Sequence, residues 1–140
     1  MDISQELLEQ ILAHAREEAP DECCGVVAVV AGSDDGTARA VRVHHAVNTA
    51  ASPLRFEIDG LEVMRLLDSI ERDGLELGAI YHSHTRTPPY PSQTDVNFAV
   101  NWPGVEWIIV GLADPSRPEI RSYLIDGPAV AEVALVGVLS

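Results

Sequence analysis

The chain has 140 residues, 46% of them hydrophobic, enough for one domain with one core and too apolar for a disordered tail. Its formal net charge is −13, with 22 acids against nine basic residues, all of them arginine, so its surface repels phosphate backbones and disfavours nucleic-acid binding. No apolar run approaches the roughly 20 residues of a membrane helix, and the acidic start MDISQELLEQ lacks the basic and apolar regions of a secretory signal, so a cytoplasmic protein without membrane contact is expected.

Residues 4 to 18 predict a helix, because Leu7, Leu8, Ile11, Leu12 and Ala15 recur at helical spacing and Pro20 ends the run. The short apolar run 25–31 predicts a strand buried on both faces. The stretch GSDDG (32–36) reads as a turn, and the alternating segment 38–47 as a second strand completing a hairpin. A loop follows from Asn48 to Pro53, then a short strand over Leu54 to Ile58. Asp59 predicts the N-cap of a helix, with Glu62 three residues on in a capping-box pattern. Leu61, Met64, Leu67 and Ile70 form its expected apolar stripe, and Gly74 its stop. Residues 75–84 predict a strand, 85–91 a proline-stiffened loop, and 94–101 a short helix. Three further strands are expected at 105–112, 119–125 and 129–138. This order predicts an α/β (α+β) domain spanning 1–140, a mixed sheet with helices packed on it.

The strand at 75–84 ends in His82-Ser83-His84, and Ser92-x-x-Asp95 lies just beyond the proline loop. Residues two apart in a strand share a face, so the two imidazoles project together and Ser83 turns away. Two nitrogens held in this way chelate a divalent transition metal, and Asp95 offers a third ligand. Two histidines and one aspartate leave a fourth position open for water, which is the catalytic arrangement of zinc; the donor set also admits iron, cobalt or nickel. Ser92 is placed to steady an oxyanion and is equally suited to cap the short helix. A general base is still required, and none lies inside the motif.

The pattern His82-x-His84, seven residues, Ser92-x-x-Asp95 resembles the signature of the JAMM (MPN-type) zinc metalloproteases. That family carries a catalytic glutamate early in the chain in a context like that of PDECCGVVA, where Glu22, Cys24 and Gly25 match. The resemblance implies a JAMM/MPN-like, cytidine-deaminase-like mixed sheet and one Zn2+ per chain. It implies His82, His84 and Asp95 as ligands, Glu22 as general acid/base, and Ser92 as the group that stabilises the tetrahedral intermediate. The segments YHSHTRTPPYPSQTDV, RSYLI and NTAASPLRFEID are similar to the small bacterial Mec-type members. Those remove cysteine from the C-terminus of a ubiquitin-like sulfur-carrier protein in a cysteine-forming route. The alternatives are a JAMM hydrolase of other small conjugates and a non-catalytic MPN binding module; the intact five residues argue against the module.

Other groups receive plainer readings. Cys23 and Cys24 are adjacent, which disfavours a disulfide and does not match zinc-knuckle spacing, so both read as small buried thiols. His14, His44 and His45 read as structural or exposed, since no other ligand accompanies them at metal spacing. Arg86 and Tyr90 in the proline loop, and Asn48, are candidates for substrate contact. No G-x-S-x-G elbow surrounds Ser92, which disfavours a serine nucleophile. The chain is too short for an amidohydrolase barrel and lacks the H-x-E and P-C-x-x-C signature of the zinc deaminases.

Overall fold

The computed structural model describes residues 1–32 and 37–138. In chain order the elements are β1 (Asp2–Ser4), α1 (Gln5–Glu18), β2 (Cys24–Val30), β3 (Arg39–Ala46), α2 (Gly60–Arg72), β4 (Glu76–His84), α3 (Gln93–Ala99), β5 (Glu106–Gly111), β6 (Glu119–Asp126), β7 (Ala129–Val133) and β8 (Val136–Val138). One mixed sheet holds all eight strands in the order β7-β6-β5-β4-β2-β3-β1-β8. The β4–β5, β1–β3 and β1–β8 pairs are parallel, and the others antiparallel. Strands β7 and β8 stand at opposite ends of this order, yet only residues 134 and 135 separate them. Three Cα steps span at most about 11 Å, so the sheet must curl until its ends approach.

Alternation divides the core between the two faces. On one, α1 covers Ile3, Cys23, Val27, Tyr81, Ile108 and Val110; on the other, α2 and α3 cover Val26, Ile80, Trp107, Ile109 and Tyr123. Ser4 caps α1 by accepting from the Leu7 amide at 3.2 Å.

Five expectations change. An unexpected strand, β1, precedes the first helix and takes Ser4 from its expected start, because the parallel partners β3 and β8 recruit Asp2 to Ser4. Leu54 to Ile58 is a loop, since its backbone groups bond Asn48 and Thr49 rather than a neighbouring strand. The 129–138 segment breaks into two strands that join opposite ends of the sheet order. The Asp59–Glu62 capping box does not form: Asp59 is the N-cap without a side-chain bond, and Glu62 accepts from the Val47 amide at 2.8 Å. The inward stripe of α2 is the buried Ile70 with the half-buried Val63, Leu66 and Leu67, while Leu61 and Met64 are exposed. Steps of three residues each fall about 60° short of a full turn, so a 61-64-67-70 row rotates by about 180° along the helix. Gly74 ends α2 with φ 72°, as expected of a left-handed C-terminal stop. The turn expected at 32–36 falls, beyond Gly32, outside the described residues.

Candidate metal and catalytic site

Strand β4 runs through the middle of the sheet and carries its histidines to its C-terminal end, where both are buried. Their Nε2 atoms face each other at 3.1 Å. Asp95, in the first turn of α3, brings Oδ2 to 3.1 Å from His82 Nε2 and 3.3 Å from His84 Nε2. The α3 N-terminus fixes that carboxylate through a reciprocal capping box: Ser92 Oγ accepts from the Asp95 amide at 3.1 Å, and Asp95 Oδ2 accepts from the Ser92 amide at 2.9 Å. A sequence feature of helix initiation thus aims the Asp95 carboxylate at the histidines. Because Ser92 Oγ accepts in this box, its own proton remains available to donate outward.

His84 Nδ1 donates to the Pro88 carbonyl at 2.9 Å, which leaves a lone pair on Nε2. With both rings in that tautomer, His82 Nε2, His84 Nε2 and Asp95 Oδ2 form a compact set of donor atoms that a cation could bridge. Tetrahedral ligands about 2.0–2.1 Å from zinc stand about 3.3 Å apart, close to the observed spacings. Among the described residues, His82, His84 and Asp95 are the group able to hold a metal ion. The walls are apolar: Phe56 stacks on His82 with ring centroids 4.7 Å apart, and Trp107 meets it edge-on at 6.3 Å.

Glu22 enters from the neighbouring strand. The antiparallel register pairs Cys24 with His82, and the Ser83 amide donates to the Cys23 carbonyl, so the ladder's next step sets Glu22 opposite His84. Paired residues project to the same side, at Cα separations of about 4.5–5.5 Å. Glu22 is only 4% exposed. Burial, opposed by His84 and aided by Asp95, pushes its carboxyl up to about 7. Burial lowers the His82 imidazole. For His84, burial opposes the charged form, but hydrogen bonds to Asp95 and Pro88 outweigh it and raise the ring. Burial would raise Asp95 too, yet the imidazoles and the Ser92 amide hold it well below the usual carboxylate range. One carboxylate is thus held charged among the histidines while its neighbour is poised near neutrality to exchange a proton, the division of labour of acid–base chemistry.

The remaining candidates lie further out. Arg86 is exposed on a groove with Arg16, Pro20, Thr85 and Leu112. Tyr90 is exposed and packs edge-on against Tyr123 at 5.5 Å. The side chain of Asn48 is committed to backbone groups, among them the carbonyl of Glu22. His14 is buried behind the sheet, bonded to the Tyr81 hydroxyl at 2.7 Å and stacked on His45. Both cysteines are buried free thiols pushed up to about 12, chiefly by burial, which keeps them protonated and inert. Sequence reading missed Phe56, Trp107 and the Pro88 carbonyl; only the apolar character of the first two hinted at a wall.

Together, a buried His-His-Asp cluster able to hold a metal ion and a buried glutamate across the ladder fit the site of a hydrolase. The description "prokaryotic homologs of the JAB domain" matches residues 4–126, and the chain belongs to that family. It is a hydrolase of the JAMM type, with a mixed α/β fold. It is 39% identical over 130 residues to the CysO-cysteine peptidase of Mycobacterium tuberculosis, covering 93% of this chain and 86% of that one. It is 38% identical over 115 residues to the desampylase of Haloferax volcanii, covering 78% of each. A protein structure from Desulfitobacterium hafniense superposes with a TM-score of 0.86 at 29% identity, covering 99% of this chain and 93% of that one. The structure described as a JAMM metalloprotease-like zinc site in the proteasome and signalosome shares the fold, with a TM-score of 0.58 at 22% identity over 99% and 97% of the two chains.

Proposed function

We propose that this protein, a single domain over residues 1–140, is a zinc-dependent peptidase that cleaves after the C-terminal Gly-Gly of a ubiquitin-like sulfur-carrier protein. The released residue is cysteine, formed on the carrier, and the setting is cytoplasmic. The reading rests on the convergence of His82 Nε2, His84 Nε2 and Asp95 Oδ2 beside a buried Glu22. The CysO-cysteine peptidase and desampylase names of its relatives supply the substrate class.

His82, His84 and Asp95 would hold one zinc per chain, which would supply Lewis-acid activation of water and of a carbonyl. Glu22 takes the proton of the attacking water and delivers it to the departing amine, a task suited to a carboxyl poised near 7. Ser92 donates a hydrogen bond from its free hydroxyl to the oxygen that gains charge at the scissile carbon. Phe56 and Trp107 keep bulk water from the rear of the site. Pro88, Pro89 and Pro91 stiffen one wall of the approach, which lowers the ordering cost of binding an extended tail.

The test uses zinc-loaded protein and a carrier ending in Gly-Gly-Cys, followed by mass spectrometry. Loss of one cysteine mass is expected, with cleavage abolished by chelation and by replacing both glycines with valine. Equal cleavage of the valine tail, or of unrelated unfolded peptides, would mark a nonspecific peptidase and overturn the carrier-tail reading.

A further inference from the structure

We propose that Asn48 is a positioning residue for catalysis, acting through Glu22. This rests on the assignment of Glu22 as the general base. An asparagine side chain has two donor positions and an oxygen with two lone pairs, and here all four are used on backbone. Nδ2 donates to the Glu22 carbonyl at 3.0 Å and to the Arg55 carbonyl at 3.1 Å. Oδ1 accepts from the Ala50 amide at 3.0 Å and the Glu57 amide at 3.0 Å. One residue therefore ties the segment leading into β2, which bears Glu22, to both sides of Phe56, the ring that stacks on His82.

The rest of the 48–57 loop depends on that knot. The Glu22 amide donates to the Ser52 carbonyl at 2.9 Å, so the base is held at its own amide and its own carbonyl by the same loop. Glu22 precedes the first residue of β2, where the ladder alone no longer holds it. A buried carboxyl that must meet a proton within hydrogen-bond reach needs such a clamp, because misplacement by about 1 Å costs roughly 10²-fold in rate. Neither charge nor a longer amide reproduces the pattern. Aspartate keeps the two acceptor contacts but turns an oxygen toward the carbonyls of Glu22 and Arg55, and glutamine moves the amide group outward by one carbon.

Four variants test the proposal in the zinc-loaded enzyme: Asn48→Ala, Asn48→Asp, Glu22→Gln, and the double variant Asn48→Ala with Glu22→Gln. Asn48→Ala and Asn48→Asp should lower kcat by about 10- to 100-fold with KM and zinc stoichiometry unchanged. Amide exchange at Glu57 and Ala50 should quicken in Asn48→Ala and much less in Asn48→Asp, which retains both acceptor contacts. Because Asn48 acts through Glu22, the double variant should turn over no more than about threefold slower than Glu22→Gln alone. Thr49→Ala, which removes a bond of the same loop from Oγ1 to the Glu57 carbonyl at 3.2 Å, should leave kcat near wild type. Wild-type kcat in both Asn48 variants would overturn the proposal. So would multiplicative losses in the double variant, or an equal loss in Thr49→Ala. Full activity in Glu22→Gln would instead refute the base assignment itself, and Asn48→Asp keeps the test open if Asn48→Ala fails to fold.

Discussion

His14 makes the stability of this protein depend on pH in a window that can be worked out. Its ring is buried against Tyr81, stacked on His45 with centroids 3.9 Å apart, and burial followed by the His45 charge lowers it from 6.5 to about 4. The depressed value means that the unfolded chain binds the proton more readily than the folded one between pH 6.5 and about 4. Stability is therefore unaffected above 6.5, falls as pH drops through that window, and levels off below it. A gap of about 2.5 units, at 1.36 kcal/mol each, gives about 3 kcal/mol. That is a large part of the stability of a small domain. His14→Gln removes the titration while keeping a group able to bond the Tyr81 hydroxyl. Urea unfolding of chelator-treated wild type and variant at pH 4 to 7.5 isolates the difference, since His82 and His84 titrate alike in both. The wild type should lose about 3 kcal/mol relative to the variant between pH 6.5 and 4. Parallel curves across that range would refute the reasoning.

Roles at the site should separate under substitution. His84→Ala should lose metal and activity together, read by elemental analysis. Glu22→Gln should retain the metal and lose about 10²–10⁴-fold in turnover, because an amide is no base. At Gly25 a Cβ would lie 2.3 Å from the Tyr81 ring and 2.4 Å from the backbone carbonyl oxygen of His44. Since backbone cannot step aside cheaply, Gly25→Ala should cost about 2–3 kcal/mol in chemical unfolding, against near-wild-type stability for Gly60→Ala, where nothing lies within 4 Å.

Which parts were legible in the sequence follows from the range of the forces involved. His82, His84, Ser92 and Asp95 lie within fourteen residues, and strand alternation with a helix cap brings them together by local rules. Glu22 required an antiparallel pairing across some sixty residues, and only resemblance to a family pointed to it. Strand β1 was hidden because three residues carry no periodic signal and owe their form to partners distant in the chain. The break between β7 and β8 was hidden for the opposite reason: its alternation continues through a point where the curled sheet, not the local sequence, dictates a corner. In α2 the apolar row was real but its spacing was wrong, so the helix presents Leu66 and Ile70 to the core while Leu61 and Met64 stay exposed.

Register is what couples this fold to its chemistry. The β2–β4 ladder sets Cys24 against His82, so Glu22 meets His84 at the point where both strands leave the sheet. A slip of one residue would turn every side chain of β2 to the other face, sending Glu22 toward the α1 layer and the apolar Val27 toward α2. That slip is opposed from both sides. Gly25 admits the Tyr81 ring where no other residue fits, and Ser83, on the face away from the metal ligands, accepts from the Cys23 amide at 2.8 Å. Gly25 and Ser83 perform no chemistry in the proposed reaction. They pin the alignment that brings Glu22 to the buried histidines, and the Asn48 loop then secures Glu22 beyond the last rung of the ladder.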